Sequence, residues 1–275
     1  MLVKMKLLKN NIKTLKESFD LGKKNINYIV VPILIDIIFL LLVGAAGSFV
    51  LEKAIPYLEE FAEINVNAPS LTSMTDAEFT AFLEQSAEKT YLSNQAFNVF
   101  LKFIGIIFLL WVIFQGLNWF LASKCVNNKT SYKRFMLNFS IISLISLVLS
   151  SLIAFLLVSL AVQNIMSQNY FANTFIVNVL TVIFTTIILF FLFVSYSISH
   201  KYKLKELLKK TFAIGLKEFK KIIIAYTTLI ILFFIVNYLM QLAYLGGAAA
   251  LLSVGMLILM PIIALSRIYL IKTLN

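Results

Sequence analysis

The sequence predicts an all-α membrane protein, a polytopic bundle of six spans arranged as three hairpins. Three observations carry this expectation. The chain is 60% hydrophobic and only 13% charged over 275 residues, too little charge to cover a water-soluble surface of that size. No Asp, Glu, Lys or Arg lies between Arg134 and Lys201, or between Lys221 and Arg267, and each gap has room for two spans of ~20 residues, the length that crosses a hydrocarbon core of ~30 Å. Within these gaps the apolar residues are continuous rather than alternating, which selects helices over a closed barrel as the way to satisfy backbone groups in lipid.

The N-terminal segment comes first. Met5, Leu8, Ile12, Leu15 and Phe19 recur at spacings of three and four, so they share one helical face, with Lys6, Lys9, Lys13 and Lys16 beside it. An amphipathic helix lying along the membrane surface is expected, its lysines contacting anionic lipid headgroups. An ordinary topogenic anchor is the plainer reading of the same pattern. The spans then fall at 27–51, 98–122, 135–161, 172–198, 222–245 and 247–271, within a single transmembrane domain. The apolar run from Ile29 to Leu51 exceeds the ~7–15 residues of a signal-peptide core and is read as a retained first span. Gln163, Asn164, Gln168 and Asn169 mark one polar turn, and Gly246 and Gly247 another.

Residues 52–97 form a longer connection with eight acids and two lysines. Thr75-Asp76-Ala77-Glu78 has the form of a capping box, and Phe79, Phe82, Leu83 and Ser86 follow on one side. A short amphipathic helix over the outer mouth of the bundle is expected there, with a second piece from Ile55 to Ile64. Of the 24 basic residues, 21 fall in the N-terminal segment, the second and fourth connections and the tail. The positive-inside rule makes that side cytoplasmic, with both termini on it. The net charge of +11 then belongs to membrane topology and anionic lipid, and gives no reason to expect nucleic acid. Lysine outnumbers arginine 22 to 2 and Ile and Asn are common, a bias that points to an A+T-rich microbial genome and hence to the plasma membrane.

The basic segments before the first and fifth spans repeat. Leu15-Lys16-Glu17-Ser18-Phe19-Asp20-Leu21-Gly22-Lys23-Lys24 aligns with Leu208-Lys209-Lys210-Thr211-Phe212-Ala213-Ile214-Gly215-Leu216-Lys217, and Tyr132-Lys133-Arg134-Phe135 is a weaker third copy. The even-numbered spans also end alike, at Asn118-Trp119, Ser195-Tyr196 and Arg267-Ile268-Tyr269. The first of these segments, running into Pro32-Ile33-Leu34-Ile35-Asp36, resembles prokaryotic six-span membrane families of unknown function. It is also similar to the membrane domain of some glycerophosphodiester phosphodiesterases. The resemblance implies the hairpin plan and brings no catalytic residues to this chain.

Asp36 is the only acid within a span. It lies about ten residues past the inner end of its helix, roughly 14 Å deep at 1.5 Å per residue. Gln115 sits at a comparable depth on the next helix, with Asn118 nearer the inner surface. A charge there is costly, so Asp36 is expected to face the bundle and hydrogen-bond that helix. The sharper reading is a proton or cation site, for which no second acid or buried base is apparent. Arg267 is close enough to its span end to snorkel. Ser143, Ser146, Ser150 and Ala154, then Gly44 with Ser48 and Gly247 with Gly255, read as packing seams, and the serines alternatively as a pore lining. Pro32 and Pro261 can kink their helices. Cys125 is the one cysteine, so no intramolecular disulfide forms. His200 falls in a basic connection without ligand partners, and no hydrolase, zinc-protease or phosphate-loop motif occurs. No cofactor is expected. The resulting expectation is a non-enzymatic envelope protein that binds lipid or a partner, with a small transporter or channel using Asp36 as the alternative.

Overall fold

The structure, a computed structural model, describes residues 2–66, 76–166, 170–245 and 250–274. Those residues are helical apart from short turns, with no strand among them. In order they form α1 (Leu2–Lys24), α2 (Asn27–Val66), α3 (Asp76–Leu110), a π segment (Trp111–Gln115), α4 (Gly116–Val126), α5 (Tyr132–Met166), α6 (Tyr170–Ile198), α7 (Leu204–Lys217), α8 (Phe219–Leu245) and α9 (Ala250–Thr273). Four stretches among the described residues are long and apolar enough to cross a membrane: Asn27–Glu60, Ser86–Val126, Tyr132–Leu157 and Phe175–Ile198. The fifth and sixth expected spans coincide with α8 and α9, although residues 246–249 and many of the flanking side chains lie outside the described set.

The chain divides into two compact units. The smaller comprises residues 37–114. Here the connection expected to carry separate surface helices is instead continuous with its neighbours, since α2 runs unbroken to Val66 and α3 from Asp76 to Leu110. For α3 the physical reason is legible in residues 84–104, which contain neither glycine nor proline, so nothing stops that helix from propagating; α2 continues through Pro56. Thr75 of the expected capping box lies outside the described residues, as do the side chains of Phe79, Phe82 and Leu83. Phe39 packs edge-on against Trp111 at 6.2 Å and tilts against Phe114. Val50 and Ala54, and Leu92 and Ala96, form buried stripes at four-residue spacing. The expected seam at Gly44 and Ser48 gains no close neighbour among the described residues: both are exposed, none of those residues approaches a Cβ placed on Gly44 within 4 Å, and the Ser48 hydroxyl donates to the Gly44 carbonyl.

The larger unit holds residues 1–36 and 115–275. In it α5 packs along α6 and α8 along α9. The helices that end the even-numbered spans, α4, α6 and α9, also touch one another, with Trp119 and Tyr196 of the repeated segment ends in contact. Trp119, Tyr196 and Tyr269 are all buried. Trp119 stacks on Phe193 at 6.1 Å and leans on Tyr196 at 5.5 Å, and Phe139 stacks on Tyr196 at 4.2 Å. Such aromatic pairs contribute ~0.5–1.5 kcal/mol each beyond the area they bury. Ser143 and Tyr196 share a 2.6 Å hydrogen bond, so this serine joins α5 to α6. Ser150 and Ala154 are instead exposed, in an open groove of about 130 Å³ shared with Thr181, Thr185 and apolar neighbours. Gly247 lies outside the described residues, as do the surroundings of Gly255.

The connection between α6 and α7 is not a loose basic loop. Asn138 donates to the Ser199 and Tyr202 carbonyls at 3.1 and 2.9 Å, and Arg134 to the His200 carbonyl at 2.7 Å. Those bonds draw the turn inward and leave His200 buried.

Candidate functional site

The site forms where the polar residues of three apolar helices meet. Asp36 projects from α2, Gln115 closes the π segment, Asn118 lies on α4, and Arg267 comes from α9. The π segment matters locally, because one widened turn re-phases the helix and it ends on the residue that joins the cluster. Asp36 Oδ1 accepts from Gln115 Nε2 at 2.9 Å, Asn118 Nδ2 at 2.7 Å and Arg267 Nη2 at 3.0 Å. Asp36 Oδ2 accepts from Arg267 Nη1 at 2.9 Å. Arg267 Nη2 also donates to Gln115 Oε1 at 2.8 Å, which closes a three-membered ring of side chains. Asp36 is 5% exposed and Arg267 6%.

The expected inward packing of Asp36 against Gln115 and Asn118 is what the structure has. The expectation for Arg267 is overturned. Its guanidinium does not snorkel to a surface; it is buried and forms a two-bond fork with the carboxylate. The reason is energetic. A carboxylate sunk among apolar helices needs a compensating charge and several donors, and the planar guanidinium supplies both with matched geometry. The statement that no buried base accompanies Asp36 falls with it. Asn118 Oδ1 is buried with no donor in reach among the described residues.

A signal for this pairing was present in the sequence. Arg134 and Arg267 are the only arginines beside 22 lysines; Arg134 reaches the His200 carbonyl through one N–H, and Arg267 forks onto both oxygens of Asp36. In so lysine-rich a chain, an arginine inside an apolar run marks a site that a point charge could not fill.

The lysines expected at headgroups sit on α1. Lys9, Lys13 and Lys16 are exposed, while the side chain of Lys6 lies outside the described residues. α1 packs on α9 through a polar, small-residue stripe of Asn11, Ser18 and Gly22. Tyr269 Oη donates to Asn11 Oδ1 at 3.2 Å, and Glu17 meets Lys272 at 2.8 Å. Lys272 holds the Glu17 carboxyl below its ordinary range by hydrogen bond and charge. Cys125 is half-buried and unpaired with any other cysteine. Compared with protein-family models, curated proteins and solved structures, the chain matches none.

Proposed function

We propose that this chain is a six-span integral membrane protein of the plasma membrane, with both terminal segments on the cytoplasmic side, that acts without catalysis by binding anionic lipid and a partner. The observation that carries this reading is how fully Asp36 is occupied. A carboxylate offers about four lone-pair sites, and Asp36 accepts four hydrogen bonds, two of them from a compensating guanidinium. Oδ1 is saturated by three donors, Oδ2 carries one, and the guanidinium already supplies the cation that a buried carboxylate would otherwise recruit. The cluster works as a fastener between α2, α4 and α9. The basic ends of the helices and the exposed lysines of α1 support contact with anionic headgroups. The resemblance to the membrane domain of some phosphodiesterases fits the same reading, since such domains bring no catalytic residues here.

The test is flux. Purified full-length protein in proteoliposomes should pass protons and monovalent cations no faster than empty liposomes, under an imposed gradient in either direction. Flux above that background, abolished by Asp36→Asn in protein that still folds, would replace this reading with that of a small transporter or channel.

A further inference from the structure

The repeated segments Leu15–Lys24 and Leu208–Lys217 prove equivalent in three dimensions as well as in sequence. Ser18 and its counterpart Thr211 are buried, as are Gly22 and Gly215. Each glycine sits where a Cβ would collide. At Gly22 it would lie 2.8 Å from Ile29 Cδ1 and Leu265 Cδ2, and at Gly215 2.9 Å from a Phe191 ring carbon. Small residues therefore let α1 lie close on α9, and α7 close on α6, where Thr211 and Ser195 hydroxyls share a 3.0 Å bond. The counterpart phenylalanines, Phe19 and Phe212, face outward and are each 56% exposed. The weaker third copy does not share this arrangement, because Phe135 is fully buried at the start of α5.

We infer that α1 and α7 are two copies of one lipid-binding element, each gripping anionic phospholipid headgroups with lysines while its phenylalanine enters the acyl boundary. The inference rests on the membrane reading above and extends it to a second element and a defined lipid class. Burying the small, polar side of each helix leaves outward an apolar ridge, Ile12 and Phe19 on α1, Phe212 and Leu216 on α7. An apolar ridge turned outward is costly in water and favourable at the headgroup–acyl boundary. Lys9 and Lys16 flank the first ridge and Lys209, Lys210 and Lys217 the second, all exposed. None of these five is in an ion pair among the described residues, so their charge is available to lipid phosphate. Each helix also runs into a long apolar helix after one or two residues, α1 through Asn25 and Ile26 and α7 through Glu218. The ridges therefore lie at the level where the chain enters hydrocarbon, and the bilayer itself is the occupant that charge and position select.

The experiment uses the full chain, delipidated in detergent and titrated with short-chain phosphatidylglycerol or phosphatidylcholine, with bound lipid counted by native mass spectrometry. Phosphatidylglycerol should bind about tenfold more tightly. Lys9→Gln/Lys16→Gln should remove about half of the bound phosphatidylglycerol, and Lys209→Gln/Lys210→Gln/Lys217→Gln should do the same. The combined variant should retain neither share. Phe19→Ser with Phe212→Ser, which leaves every charge in place, should weaken binding of both lipids. These are exposed positions, and an unchanged melting temperature shows that loss of lipid is not loss of fold. Equal binding of the two lipids, or full phosphatidylglycerol binding by the combined lysine variant, overturns the inference and leaves the ridges to a protein partner. Failure of the membrane reading itself looks different, as release of the chain from membranes by alkaline carbonate or as flux through wild-type proteoliposomes.

Discussion

Replacing Asp36 with Asn keeps the shape of the side chain, removes its charge and sets a donor amide in place of one acceptor oxygen, so the variant breaks the fork with Arg267. Two unit charges about 4 Å apart attract by ~4 kcal/mol at an effective dielectric of ~20. Desolvation offsets most of that gain, which is why exchanging a whole buried pair for neutral residues is often nearly free, whereas removing one partner costs ~3–5 kcal/mol. The two single losses should also differ. Arg267, left without Asp36, cannot shed its proton and stays a buried cation. Asp36, left without Arg267, can neutralise itself by taking up a proton. Asp36→Asn should therefore destabilise by the upper part of that range, Arg267→Met by the lower part, and the double variant by less than Asp36→Asn alone. Unfolding of each full-length protein by dodecyl sulfate in mixed micelles gives the four free energies, and the cycle should yield a coupling above ~2 kcal/mol. Additive losses, or an Asp36→Asn protein as stable as its parent, would show that the fork between α2 and α9 is not what holds them.

Two further perturbations probe the packing around it. Gly215→Ala should destabilise by ~1–3 kcal/mol through overpacking against Phe191, while Gly44→Ala, with open space around it, should be neutral or gain up to ~1 kcal/mol of helix propensity; melting temperatures of the two in detergent decide this. The Glu17 carboxyl is lowered by Lys272, so its contribution to docking α1 is fully present above the unfolded carboxyl value of about 4.5 and is lost as pH falls through the lower folded value. Hydrogen exchange should thus find α1 less protected near pH 3 than at pH 7 in the wild type, a difference that Glu17→Gln removes, and an unchanged difference in the variant would assign the pH response to another group.

Helix positions were legible because the charge-free gaps and the basic clusters that bound them leave few alternatives in lipid. Inward packing of Asp36 followed from the same cost argument, as did its partners Gln115, at a comparable depth, and Asn118, nearer the inner surface. What stayed hidden was the partner that arrives from far along the chain. Arg267 lies 231 positions from Asp36, and although an arginine among 22 lysines marks a special use, its sequence neighbours do not name the carboxylate it forks onto. The seam at Gly44 gains no close neighbour among the described residues for the converse reason: small-residue spacing says that a close approach is allowed, and only the fold says whether a neighbour takes it. Helix continuity differs from the separate pieces expected at 55–64 and after Thr75: helix propensity carries α3 back through residues 84–97, whereas α2 continues in spite of Pro56.

The long-range contacts converge on one element. α9 receives Asn11 at Tyr269, Glu17 at Lys272, Gly22 at Leu265 and Asp36 at Arg267, four separate attachments from the first 36 residues of the chain. Contacts so distant in sequence must offset the entropy of the loops that separate them. Until α9 is in place, Asp36 lacks its base and α1 its docking surface, so α9 completes the larger unit. If that is its role, α9 should assemble in trans. Co-expressed fragments 1–245 and 246–275 should co-purify from membranes, and Asp36→Asn in the first or Arg267→Met in the second should sharply lower the yield of the pair. Both changes together should restore part of it, since the unpaired charge is then gone from each side. Fragments that associate equally well with either charge removed would mean that apolar packing alone seats α9 and that the ion pair is incidental to assembly.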